Sequence, residues 1–194
     1  MTSPIRLTGN DTADALLTDD DNALLIGMLL DQQVPMEKAF SGPAVIAERM
    51  GGTLDPRAIA EMSEDDFVAL CSERPAIHRF PGSMAKRVRT LCQVLTEDYD
   101  AQATNVWTGV DSGAELKKRL QALPGFGAEK AQIFVALLGK QRGVAPEGWQ
   151  LAAGPFGEPG VYRSVADITD PDSLARVRET KKSVKAAKKA SASG

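Results

Sequence analysis

Two glycines one residue apart, in Leu123-Pro-Gly-Phe-Gly127, sit between two stretches whose apolar residues recur at helical spacing. Leu116, Leu120 and Leu123 stripe the first stretch; Ala131, Phe134 and Leu138 stripe the second. Gly125 and Gly127 let the backbone turn tightly and come close to a neighbour. The amides that open the second helix have no partner within it and lie at its positive end, a setting that suits an anion such as phosphate. Phe126 is then the plug that packs the turn, and Lys117, Lys118, Arg119 and Lys130 supply positive charge around it. The plainer alternative is an αα-hairpin that Pro and Gly merely cap.

Composition removes most other chemistry. His78 is the only histidine among 194 residues, and Cys71 and Cys92 are the only cysteines. Two-histidine metal sites, four-cysteine metal or iron–sulfur sites and disulfide scaffolds are therefore excluded. Both cysteines fall in helical apolar patterns and read as core. With 43% apolar and 25% charged residues, the chain reads as one ordinary globular domain. No apolar run approaches the ~20 residues of a membrane span, and Met1 to Leu7 lacks an apolar signal stretch, so a cytoplasmic location is expected. The net charge of −3 hides a gradient. Residues 1–75 carry five Lys/Arg against 14 Asp/Glu, residues 76–175 are balanced, and residues 176–194 carry seven basic residues against Glu179 alone. A local field of that kind admits a polyanion partner despite the acidic total.

The elements that must position the hairpin are all helical. Asp19-Asp-Asp-Asn22 opens a stretch, Ala23 to Leu30, that is apolar on every side and belongs in the middle of a domain. It stops near Asp31-Gln-Gln33. Short helices follow from Pro35 to about Phe40, from Ser41-Gly-Pro43 to Gly51, from Asp55-Pro56, and from Ser63 through about Ser72. A longer one spans about Pro81 to Tyr99 on Met84, Val88, Leu91, Cys92 and Leu95. The hairpin helices occupy about 114–139. A long Gly/Pro-rich loop runs from Gln141 to about Tyr162, and Asp170-Pro-Asp-Ser173 caps a last helix. No alternating strand is visible, so the fold class is all-α. We place a domain at residues 1–175 and a basic Lys/Ala-rich tail at 176–194, read either as a solvated helix face or as a flexible arm on DNA phosphates.

Leu123-Pro-Gly-Phe-Gly-Ala-Glu-Lys-Ala131 resembles the hairpin of the helix–hairpin–helix Gly/Pro-Asp (HhH-GPD) superfamily of base-excision DNA glycosylases. Leu24 to Gln33, followed by Met36 to Phe40, resembles that superfamily's early helix, which ends in a Gln pair near the lesion. Phe80 to Leu95, with Lys86, Arg87 and Arg89, resembles the basic helix before the hairpin. The three parts keep their order over roughly residues 20–140. The resemblance implies two helical lobes with a cleft between them and a hairpin gripping double-stranded DNA beside a flipped base. It implies contacts from Gln32, Gln33, Lys86, Arg87, Leu123, Gly125, Gly127 and Lys130, and a monovalent cation at the hairpin carbonyls.

The chain departs from the family pattern at several points. The lyase nucleophile, a Lys two positions after the second hairpin glycine, is replaced by Glu129; Lys130 follows, about 100° further round the helix. Lys130 reads as a phosphate contact or surface charge. The family's Asp after the second hairpin helix, whose charge stabilises the sugar cation, falls near Pro146. Glu147 and Asp167 are the candidates for that role, or no catalytic carboxylate is present; Asp170 reads as a helix cap. Met28 stands where adenine-removing members carry Glu, and no Cys lies beyond Cys92 to hold an iron–sulfur cluster. Gln32 and Gln33 either cap a helix or read a base edge. His78 reads as a satisfied histidine, and Trp149 and Tyr162 as loop anchors or stacking groups. The expected function is a monofunctional glycosylase without lyase activity, acting as a monomer at the nucleoid. Alternatives are a non-catalytic DNA-binding protein on the same scaffold, and a helical protein–protein module.

Overall fold

In the computed structural model, which describes residues 3–193, every regular element among the described residues is helical. Helix α1 (Asp11–Asp19) starts where the Asn10 side chain accepts the Ala13 amide, and α2 (Asp21–Leu30) where Asp20 accepts that of Asn22. Asn22 to Leu30 are all buried, so α2 lies in the middle of the molecule, as an all-apolar helix must. Around it pack α3 (Met36–Arg49), α4 (Pro56–Glu61), α5 (Glu64–Ser72) and α6 (Pro81–Asp98), which with α1 make the first lobe. The second lobe holds α7 (Thr104–Trp107), α8 (Gly113–Gln121), α9 (Ala128–Gln141), α10 (Trp149–Ala153) and α11 (Pro171–Ser191). One apolar core runs through both lobes. Asn22 ties them together, donating to Ala101 O and accepting from Ala103 N, as does Arg142, which bonds Thr18 O and Asp21.

The helix break expected at Ser41-Gly-Pro43 does not occur. Met36 to Arg49 form one helix with Pro43 inside it. Gly42 explains the continuity: a Cβ there would stand 2.5 Å from Leu30 Cδ1, so this turn of α3 presses directly on α2. Burial of Phe40 and Ile46 on the same side outweighs the missing Pro43 hydrogen bond. The stretch expected as a loop from Gln141 to Tyr162 contains α10 and a 3-10 turn, Gly154–Phe156. Trp149 anchors it, since its ring fills the space a Cβ at Gly139 would take. The tail is not a flexible arm. It continues α11 without a break, so the boundary placed between 175 and 176 falls inside a helix. Beyond Val177 that helix buries nothing further, and its lysines stand in solvent.

Candidate nucleic-acid interface

The hairpin and the end of α2 meet at one atom, the Leu29 carbonyl oxygen. Lys130 Nζ donates to it at 3.0 Å and Gln32 Nε2 at 3.1 Å. Arg87, from α6, donates to Gln32 Oε1 at 3.1 Å. Residues from three distant stretches, Gln32, Arg87 and Lys130, are thus gathered around the C-terminal end of α2. Gln33 follows at the exposed tip of the turn, with φ 57°, a left-handed conformation that costs a non-glycine residue energy and is held by its surroundings. The holding group is His78. Its Nδ1 accepts the Phe80 amide, so its Nε2 carries the hydrogen and donates to Gln32 O at 2.9 Å. His78 is buried, and burial lowers its pKa below the usual histidine value, in keeping with this neutral ring. A cavity of about 290 Å³ opens beside the turn, lined by Gln32, Gln33, His78, Phe80, Ser83, Met84 and Arg87. Phe80 is 45% exposed there, a platform for a planar ring that periodicity could not reveal.

The hairpin has the expected plug. Phe126 is buried and meets Phe134 edge-on at 6.1 Å, and Leu123 is buried beside it. The two glycines do different work. Gly125 has φ +82°, and a Cβ on it would lie 2.2 Å from Leu29 Cδ1, so the fold itself requires glycine. Gly127 has φ −74° and no atom of the protein within 4 Å of where a Cβ would be. It caps α9 with no side-chain bond, leaving the first amides of a 14-residue helix open to solvent.

Lys130 does not project into solvent as a surface charge. Its amine is turned inward onto Leu29 O, and burial pushes its pKa down to about 8, with Asp31 opposing the shift and Arg87 adding to it. Reductive methylation with labelled formaldehyde should therefore give one lysine resonance titrating near pH 8, absent from Lys130→Arg. Titration of every lysine near the ordinary value of about 10.4 would contradict the inward placement. The other basic candidates differ in availability. Lys86 is exposed and pairs with Glu64 at 3.0 Å, an arrangement that phosphate can displace. Arg89 is tied to the Met62 and Ala60 carbonyls, and Arg119 to Glu115.

The carboxylates singled out in the sequence lie elsewhere. Asp167 pairs with Lys140, ten residues and about 15 Å along α9 from Lys130. It also accepts the Arg163 and Ser164 amides, so its two oxygens are occupied in holding a 3-10 turn, Val165–Asp167. Glu147 is exposed, and its carbonyl accepts the Gly113 amide at the start of α8, a helix whose other end carries the hairpin. Asp170 caps α11 as read, with Ser173 completing a capping box. Cys71 and Cys92 are core thiols; burial pushes Cys71 up to about 12 and Cys92 further. The acid that does stand at the hairpin is Asp31, which the sequence reading took only as the end of a helix. Burial raises its pKa, and Lys181 of α11 and Lys130 of α9 oppose that shift.

Residues 26–192 match the family model described as HhH-GPD superfamily base excision DNA repair protein. No curated protein and no solved structure gives a significant match. No helix among the described residues is long and apolar enough to cross a membrane.

Proposed function

The chain belongs to the HhH-GPD superfamily of base excision DNA repair proteins, and we propose that it is a monofunctional DNA glycosylase that hydrolyses the N-glycosidic bond of a damaged or mispaired base. The observation that carries this reading is the junction at Leu29 O. A hairpin with open helix amides and an unobstructed Gly127 is fastened by Lys130 to the turn that presents Gln33. A duplex backbone gripped at the α9 amides lies next to Gln33 and the cavity beside Phe80, the places where an extruded base and its gap need protein contacts. Lys86 of α6 and the solvated lysines of α11 add phosphate contacts of the salt-sensitive kind.

Hydrolysis by water, without a covalent enzyme intermediate, is supported by the first turn of α9. Glu129 is exposed there, and the Lys130 amine is directed beneath the hairpin. The carbonyls of Pro124 and Gly125 accept no hydrogen bond among the described residues, and such oxygens suit the monovalent cation that the family hairpin binds. The second reading, a non-catalytic DNA-binding protein, is favoured by one observation. Both carboxylates that follow the hairpin in sequence are engaged away from it.

Incubation with a panel of duplexes, each bearing one damaged or mispaired base, separates the two. The glycosylase releases a base from at least one member, its strand breaks only after alkali, and borohydride traps no adduct. Salt-dependent binding to every duplex with no release from any would establish the binding protein. An adduct lost in Lys130→Ala would replace hydrolysis by amine attack.

A further inference from the structure

Asp31 occupies a place that structural reasons do not favour. It follows the last turn of α2, where the helix presents its negative end and a carboxylate is disfavoured. Asp20, Asp55 and Asp170, by contrast, cap helix starts, and Asp167 holds a turn. Asp31 is largely withdrawn from water, yet its carboxylate is influenced only by burial and by Lys181 and Lys130 at a distance, with no hydrogen bond to relieve it. The nearer amine spends its bond on Leu29 O instead. A half-buried carboxylate at the wrong end of a helix and without a donor is a destabilising feature, and such features collect where a ligand or reacting group completes them. This one lies between the Leu29 carbonyl that receives the hairpin lysine and the Gln32–Gln33 turn.

Resting on the glycosylase reading above, we propose that Asp31 is the catalytic carboxylate of this chain, set at the end of α2 where it faces the sugar of the nucleotide held at the hairpin. Its negative charge stabilises the cation that develops on the sugar ring. The C1′–N bond breaks with its electron pair leaving on the base, which takes a proton from solvent. The oxygen of a water bonds to C1′, and that water's proton passes to Asp31 and on to solvent. Nothing is oxidised or reduced. The charged and titratable groups that face this locus are Lys130 from α9, Lys181 from α11, Arg87 from α6 beside Lys130, and neutral His78 behind Gln32. Asp31 is the acid set among them.

The test needs no knowledge of the lesion. Two duplexes are compared, one carrying a single pyrrolidine abasic nucleotide, cationic at neutral pH, the other a neutral tetrahydrofuran nucleotide. The wild-type chain should bind the cationic duplex at least about 10-fold more tightly. Asp31→Asn should keep its affinity for the neutral duplex, lose the preference, and melt no lower than wild type, because the substitution removes an unrelieved charge. A preference that survives in Asp31→Asn, or that the wild type lacks while binding both duplexes, overturns the assignment. Failure of the wild type to bind either duplex overturns the glycosylase reading itself.

Discussion

Gly127→Val should fold and lose duplex affinity by about 100-fold. The backbone at Gly127, φ −74° and ψ 178°, is extended and open to any residue, and no protein atom lies within 4 Å of the added Cβ. The stability change is then the difference between glycine and valine as a helix cap, about 1 kcal/mol, or roughly 2–4 °C in a chain of this size. Binding suffers far more, because the branched side chain stands over the amides that a phosphate must reach. Losing two amide–phosphate hydrogen bonds at about 1.5 kcal/mol each gives the 100-fold figure. Neutral amides release no counterions, so the slope of log affinity against log salt should stay near the wild-type value while the whole line drops. Gly125→Ala should show the opposite division. Its φ of +82° and the 2.2 Å approach to Leu29 Cδ1 place the damage in the fold, so the melting temperature falls by an amount corresponding to about 2 kcal/mol. Equal duplex binding by wild type and Gly127→Val would remove the hairpin from the interface.

The contrast between these two glycines marks how far the sequence could be read. Their spacing announced a hairpin, and the plug role of Phe126 followed from the apolar stripes on either side. Caps and periodicity gave α2, α6, α8, α9 and the start of α11, because those signals are local: Asp20, Pro81, Ser112 and Asp170 each act within a turn of their own position. Events that depend on distant partners were not legible. Pro43 reads as a break, yet the close approach of Gly42 to Leu30 keeps α3 whole. Lys130 reads as surface charge on a polar turn, and only the tertiary meeting with Leu29 O turns it inward. Asp31 and Asp167 exchange significance for the same reason. Asp167 looks available after a loop but meets Lys140, whereas Asp31 looks like a helix end but stands at the hairpin with its charge unrelieved.

Asp167→Asn should lower the melting temperature by about 6–15 °C. The carboxylate is 4% exposed and lies 2.6 Å from Lys140 Nζ, which is itself only 17% exposed. Its second oxygen accepts the Arg163 and Ser164 amides at 2.9 and 3.1 Å. An asparagine offers one acceptor and one donor in a site that needs acceptors only, so in either orientation its NH₂ faces a donor. The Lys140 ammonium keeps its bond to Glu158 O but loses its counter-charge. Breaking a buried pair from one side costs about 3–5 kcal/mol, and the temperature range follows at about 2–4 °C per kcal/mol for a domain of this length. Adding Lys140→Met to the variant should restore much of the loss, since the two residues share one interaction and their effects cannot add. The same pair of measurements decides between the two carboxylates. If Asp167→Asn melted as wild type does and released base about 100-fold more slowly, Asp167 would be the acid at the sugar and Asp31 would not. A fall in stability that Lys140→Met repairs leaves Asp167 as the residue that holds the approach to α11 against α9, with the chemistry at the end of α2.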